Sequence, residues 1–357
     1  MKNENKEEIL GDSKKPLKKA LFFPAEYRKT IDNLSKINLK IINAENNIKI
    51  ARLEKYPDTE GNLICLEEKD KYCLDARNGL EKMKEYPLIA AYDESINRFS
   101  ALEGTAYLTS HTVVFLYNDE YIPISLITIY FFTKAKIFER ENQIADGIII
   151  TDDISYASKE IYVRDKVNFL KENIPPNTLL FIDGPLIGGD WYVKMINAIL
   201  NYFNFKNIIP IFIVKNSLSN IIISNHLDLI DKYNSDMHWA YYNLNRGERT
   251  SFFEYVDRKN PRNARVFCYI KAFDASPLRV ELHPSTFDKC GEKINDILNI
   301  IYYFLLVQGD SSNPQIRPIA IAEEYARETL HLFDLEHIIK KANLIPTINQ
   351  ERFGWST

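Results

Sequence analysis

Two adjacent runs, "GTAYLTSHTVVFLYND" (Gly104 to Asp119) and "EYIPISLITIYFFTKAKIF" (Glu120 to Phe138), constrain this chain more than any other stretch. Both are long and dense in β-branched and aromatic residues, and only the polar "NDE" separates them, so they predict an antiparallel hairpin. A shorter apolar run, "LIAAYDES" from Leu88, stands before the hairpin after Pro87, which marks a boundary. Three strands therefore open the main body of the fold.

A helix near Ser155 to Asn173 follows. Next come an apolar strand in "LLFIDGPLIGGDWY" (Leu179 to Tyr192), a helix near Trp191 to Phe203, and a buried strand in "NIIPIFIVKNS". "RVFCYIKAF" and "LRVEL" add strands, and "FDKCGEKINDILNIIYYFLLVQ" and "IAIAEEYARETLHLFDLEHIIKKA" predict long C-terminal helices. The expected class is α/β: an RNase H-like mixed sheet flanked by helices, its later strands parallel, with a helical C-terminal region. Residues 1–85, rich in Lys, Glu and Asn with apolar residues at helical spacing, predict a helical N-terminal arm, which leaves 86–357 as the main domain.

Composition removes several classes. At 357 residues and 45% hydrophobic the chain has ample material for a core. No apolar run reaches the ~18 residues of a membrane span, and "MKNENKEEILGDSKKPLKK" lacks the apolar centre of a secretory signal, so no membrane association and a cytoplasmic location are expected. Cys65, Cys73, Cys268 and Cys290 have neither C-x-x-C spacing nor histidines at zinc intervals, and they read as free thiols. A net charge of -4 argues against coating polyanions by bulk electrostatics and leaves room for a local basic channel.

The βββαβα order places the end of the first main strand beside the end of the fourth, and these ends carry Asp93 and Asp183. Two carboxylates at one sheet edge could hold a divalent cation. On the intervening helix, Tyr156, Glu160, Val163, Val167 and Leu170 follow a core-facing stripe, so Glu160 is a third candidate ligand, with Asp165 the alternative on a neighbouring face. The plainer readings are a turn-forming or helix-capping Asp183 and a Glu160 paired with Arg164 one turn away. Lys215, ending the next strand, could touch a phosphate or simply be solvated. Arg279 and Glu281 alternate on one face of "LRVEL", which favours a structural ion pair over a nucleic-acid contact.

With those residues in place the sequence resembles the NurA nuclease family, from about Leu88 to the final helices. "AAYDES" resembles the first acidic motif of that family, usually Asp-Gly-Ser, and "LLFIDGPL" the second. "IPIFIVKNS", "SDMHWAYYNLNRGERTSFF" and "SPLRVELH" are similar to its later segments. Two departures stand out: Glu94 follows Asp93 where the family prefers Gly, and "QIRPIAIAEEYA" carries Gln315 and Glu323 where it has Tyr and His. The resemblance implies a metal-dependent DNA exonuclease, 5′ to 3′ in polarity and with possible endonuclease activity on single strands. It implies a homodimer fed by a HerA-like hexameric ATPase in DNA end processing or anti-phage defence. Asp93, Glu160, Asp183 and Glu323 would hold Mn²⁺ or Mg²⁺, and Lys215 would join them in catalysis. The alternatives are a catalytically weakened, DNA-guiding scaffold for the translocase, and a ribonuclease. "GGDW" is not followed by Gly-Lys-Ser/Thr, so a P-loop is not supported and motor work would fall to a partner.

Overall fold

The computed structural model describes residues 61–136 and 147–347. Its centre is a twelve-stranded mixed sheet. The strands are β1 (Gly61–Cys65), β2 (Lys71–Cys73), β3 (Leu88–Ser100), β4 (Thr105–Tyr117), β5 (Glu120–Thr133), β6 (Ile148–Ile150), β7 (Thr178–Asp183), β8 (Ile209–Val214), β9 (Glu248–Thr250), β10 (Phe253–Asp257), β11 (Ala264–Lys271) and β12 (Leu278–Leu282). The principal order is β1-β10-β11-β12-β8-β7-β3-β4-β5-β6, with β9 pairing both β11 and β2. The helices that bear on the site are α1 (Ala76–Met83), α2 (Ile154–Asn173), α3 (Asp190–Phe205), α4 (Leu227–Ile230), α5 (Asp236–Asn243), α6 (Pro284–Cys290), α7 (Lys293–Gln308) and α8 (Arg317–His331).

The hairpin of β4 and β5 forms as the sequence predicts, in full register from Tyr117↔Glu120 to Thr105↔Phe132. Asn118 and Asp119, at φ 51° and 63°, make the tight turn, because two left-handed residues match the twist of the flanking strands. The strand β3 pairs antiparallel with β4 and parallel with β7, and β7 in turn runs parallel to β8. Here the expectation of parallel later strands needs correcting: β12 meets β8 antiparallel, and β11, β10 and β1 continue antiparallel. Short connections explain the pairing within β10, β11 and β12: the loops between them hold too few residues for a crossover helix, so each chain reversal gives an antiparallel neighbour.

Side-chain alternation splits the core into two layers. Ile89, Ala91, Leu179, Phe181, Ile211 and Ile213 pack on one face against α7 and α8 through Ile297, Ile301, Phe304, Ile319 and Ala322. Ala90, Tyr92, Leu180, Ile182 and Phe212 pack on the other against α2 and α3 through Val163, Val167, Leu170, Ile199 and Phe203. Adjacent residues of β3 therefore serve opposite layers.

Helical character expected for residues 1–85 appears at α1, whereas residues 61–73 contribute strands: β1 lies on β10 and β2 on β9. Residues 1–60 lie outside the described part. The buried Arg249 fastens this segment to the sheet, with Nη1 2.6 Å from Glu67 Oε2 and Nη2 2.8 Å from Glu67 Oε1. A two-pronged contact of this kind is the strong form of an ion pair. Gly79 lets α1 approach α7, since a Cβ there would stand 2.1 Å from the Asn299 carbonyl oxygen. The long apolar region after Phe287 divides at Gly291 (φ 51°) into α6 and α7. Among the described residues no helix is long and apolar enough to cross a membrane.

Candidate active site

Three neighbouring strands bring their side chains to one place. The register sets Tyr92 beside Ile182 and Asp183 beside Ile213, so Asp93 lies next to the ends of β7 and β8, where Asp183 and Lys215 stand. The expectation that Asp93 ends its strand needs correcting: β3 runs on to Ser100 because β4 pairs it along its whole length, and of its two neighbours only β7 stops here. All three side chains continue the residue parity that faces α7 and α8, and α8 lies against β3 and brings Glu323 onto that face. Lys215 Nζ lies 2.9 Å from Asp183 Oδ2 and 3.2 Å from Glu323 Oε2, a cation bridging two carboxylates. Glu323 Oε2 also accepts from Gln315 Nε2 at 2.6 Å, and Arg327 pairs with Glu323 Oε1 one helical turn on.

Asp93 has no comparable partner among the described residues. It is 5% exposed, and its Oδ1 accepts the Glu94 backbone N–H at 2.8 Å. Burial first, then the charges of Asp183 and Glu94, push its carboxyl up to about 8. Burial also raises Asp183, against the opposing pull of Lys215, and Asp183 Oδ1 is buried without a hydrogen-bond partner among the described residues. For Glu323, burial acts upward, but the Gln315 hydrogen bond with Lys215 and Arg327 outweighs it and holds the carboxyl below its usual range.

Glu94, one residue on, points into the other layer. There the buried Lys166 of α2 lies 3.3 Å from Glu94 Oε2, and the Tyr162 hydroxyl donates to Glu94 Oε1. The Lys166 ammonium also stands 4.7 Å over the Tyr92 ring. Tyr92 OH is 2.7 Å from Nδ1 of His111, a fully buried ring that burial keeps neutral by lowering its pKa to about 4.

So four of the residues singled out in the sequence, Asp93, Asp183, Lys215 and Glu323, come together, and Glu160 does not join them. Glu160 sits half-buried on α2, in the opposite layer, with no hydrogen bond or ion pair among the described residues. Its helix instead directs Tyr162 and Lys166, spaced i and i+4, at Glu94. Asp165 is buried near Arg164, whose Nε is 3.7 Å from Asp165 Oδ1. No group of three His, Cys, Asp or Glu side chains stands in metal-binding proximity among the described residues.

The partners of Glu94 and Glu323 escaped the sequence reading. A signal for Lys166 was present, because it interrupts the apolar stripe between Val163 and Val167 and needs a buried counter-charge. The pairing of Arg279 and Glu281 is as expected, with Arg279 Nη2 2.6 Å from Glu281 Oε1. Its consequence was not foreseen: Glu281 Oε2 accepts the Leu186 backbone N–H at 2.7 Å and so anchors the loop that leaves Asp183.

Carboxylates gathered around one ammonium describe chemistry but no lineage; the sequence match supplies that. The NurA domain matches residues 103–328. The chain belongs to the NurA domain family. Among solved structures, the NurA nuclease from Sulfolobus solfataricus superimposes with a TM-score of 0.51 at 11% identity, covering 89% of this chain and 95% of that one. This likeness is one of fold. A NurA structure with manganese aligns at a TM-score of 0.38 and 8% identity over 73% of this chain and 92% of the other. An endonuclease V from Bacillus subtilis aligns at 0.36 and 10% over 72% and 84%. Comparison with curated proteins returns no match.

Proposed function

We propose that this NurA-family chain is a metal-dependent nuclease that hydrolyses phosphodiester bonds in DNA, with Asp93 and Asp183 as the centre of its site. The observation that carries the reading is the buried pair itself. One carboxylate holds a proton up to about pH 8, and its neighbour keeps a buried oxygen without a partner among the described residues. Lys215 offsets only part of the negative charge of the pair, and a divalent cation on hard oxygen ligands would supply the rest.

Asp93 and Asp183 would hold Mn²⁺ or Mg²⁺, with Glu323 joined to Asp183 through Lys215. When bound, the ion would lower the pKa of a water and offset charge growing on the phosphate. Lys215 orients Asp183 and Glu323, and its ammonium stays charged because Asp183 outweighs the effect of burial. It is thus poised to meet a phosphate oxygen. Gln315 and Arg327 restrain Glu323, which replaces the family's histidine. Glu160 and Asp165 stand outside this set, since α2 covers the opposite face.

The family resemblance supports 5′ to 3′ digestion, action on single strands, and work with a HerA-like hexameric ATPase in end processing or defence. A homodimer is supported by the exposed apolar stripe of Ile122, Ile124 and Leu126 along β5, a surface of the kind that partners cover. The test is cleavage of labelled single- and double-stranded DNA with Mn²⁺, with and without the ATPase. Asp183→Asn is expected to lose roughly a hundredfold or more of the rate, and equal cleavage by the variant would overturn the site. A second reading, a weakened DNA-guiding scaffold, draws on the three donors that already occupy Glu323. Calorimetric titration with Mn²⁺ separates the two: heat of binding that Asp93→Ala abolishes selects the nuclease, and no binding selects the scaffold.

A further inference from the structure

On the face of the sheet opposite the carboxylate cluster lies a pocket of about 590 Å³, walled by β3, β4, β5, the first turns of α2 and the start of α3. This is within the ~300–1,000 Å³ range of small-ligand sites. Aromatic side chains dominate the lining, among them Tyr107, Tyr130, Tyr156, Tyr162, Trp191 and Tyr192. Tyr156 and Trp191 form its lip, with ring centroids 5.0 Å apart and Tyr156 51% exposed.

The lining is more than apolar. His111 Nε2, Thr128 Oγ1, Asp165 Oδ2 and Trp191 Nε1 each belong to a side chain of the wall, and each is buried with no hydrogen-bond partner among the described residues. Buried polar atoms of native proteins are nearly always paired, so these four are open to a polar ligand. The set is mixed: Trp191 can only donate, Asp165 Oδ2 can accept, and Thr128 can do either. A planar ring with donors and acceptors on its edge would satisfy such a set while its faces lie on aromatic rings.

We infer that this pocket receives one unstacked nucleobase of the strand whose phosphate is held at Asp93 and Asp183. The inference rests on the nuclease reading above. Two connections tie pocket and cluster. Tyr162 lines the pocket while donating to Glu94, the neighbour of Asp93. The loop that leaves Asp183 ends at Gly188 and Gly189, which form part of the pocket wall. A Cβ at Gly184 or Gly189 would meet nothing within 4 Å, so this loop has open space beside it. Beyond Asp93, β3 is paired by β4 alone, since β7 has ended, which leaves that side of β3 without a strand across which a nucleotide would have to pass.

The test is direct binding in EDTA, which needs no cleavage and so stands or falls separately from the nuclease assay. Deoxynucleoside 5′-monophosphates and 2-deoxyribose 5-phosphate are titrated calorimetrically into the full-length protein, Trp191→Ala and Tyr156→Ala. The nucleotides are expected to bind at least tenfold more tightly than the base-free sugar phosphate, and both variants to lose most of that advantage. A single-stranded oligonucleotide is expected to displace the nucleotide. Equal binding of nucleotide and sugar phosphate, or unchanged nucleotide binding in Tyr156→Ala, whose exposed ring is removable without unfolding, overturns the pocket. Nucleotide binding that the oligonucleotide cannot displace overturns its assignment to a strand and leaves a free nucleotide as occupant.

Discussion

Replacing Asp93 with Asn removes a titrating carboxyl from a position within β3 that is 5% exposed. The amide keeps the shape of the side chain, and its oxygen can still accept the Glu94 N–H now 2.8 Å away. In the folded protein burial, then Asp183, then Glu94 raise this carboxyl from an ordinary 3.8 to about 8. Between those two values the native state holds a proton that the unfolded chain has released, so stability falls as pH rises. The slope is about 1.4 kcal/mol per pH unit, and metal-free protein loses about 3 kcal/mol through this group between pH 5 and pH 7. Above about pH 8 both states are ionised and the slope ends. The amide of the variant does not titrate. Urea unfolding at constant ionic strength in EDTA, at whole pH values from 5 to 8, is expected to show Asp93→Asn gaining on the wild type by that amount. Added Mn²⁺ is expected to reverse the order, because the cation replaces the proton only where the carboxylate exists. Parallel stability curves for the two proteins would refute a proton-holding Asp93.

Two further substitutions probe the frame around the site. Glu281→Ala strands the buried Arg279 guanidinium and frees the Leu186 N–H; a loss of about 3–5 kcal/mol is expected, read by chemical unfolding. Gly79→Ala puts a Cβ against the Asn299 carbonyl at 2.1 Å and pushes α1 off α7, with an expected cost of about 1–3 kcal/mol and a lowered Tm.

The face shared by the site residues was the legible part of this molecule. Apolar runs that stop at Asp183 and Lys215 show where β7 and β8 finish, and period-two alternation puts both side chains and that of Asp93 on one face. The apolar run that stops at Asp93 was misleading as an end, since β3 continues to Ser100 in more polar residues held by β4. Glu323 was legible only through its place in a family motif. The error at Glu160 came from helix phase and layer together: the stripe at Val163, Val167 and Leu170 is buried as expected, but the helix bearing it packs behind the sheet from Asp93. Antiparallel pairing of β10, β11 and β12 was lost because buried strands read alike in either direction, and only loop length separates them. The pocket behind the sheet had no sequence signature, since its aromatic rings come from four separate elements and each one passes for core.

The consecutive acids Asp93 and Glu94 have a consequence for how this family can vary. Glu94 is the counter-charge of an ammonium that is 2% exposed. Glycine in place of Glu94 would leave that ammonium without its carboxylate partner. The two positions can therefore change only as a pair. In an alignment of relatives, glycine at the position of Glu94 is expected to travel with an uncharged residue at the position of Lys166, and the covariation would be visible although Glu94 itself carries none of the proposed chemistry.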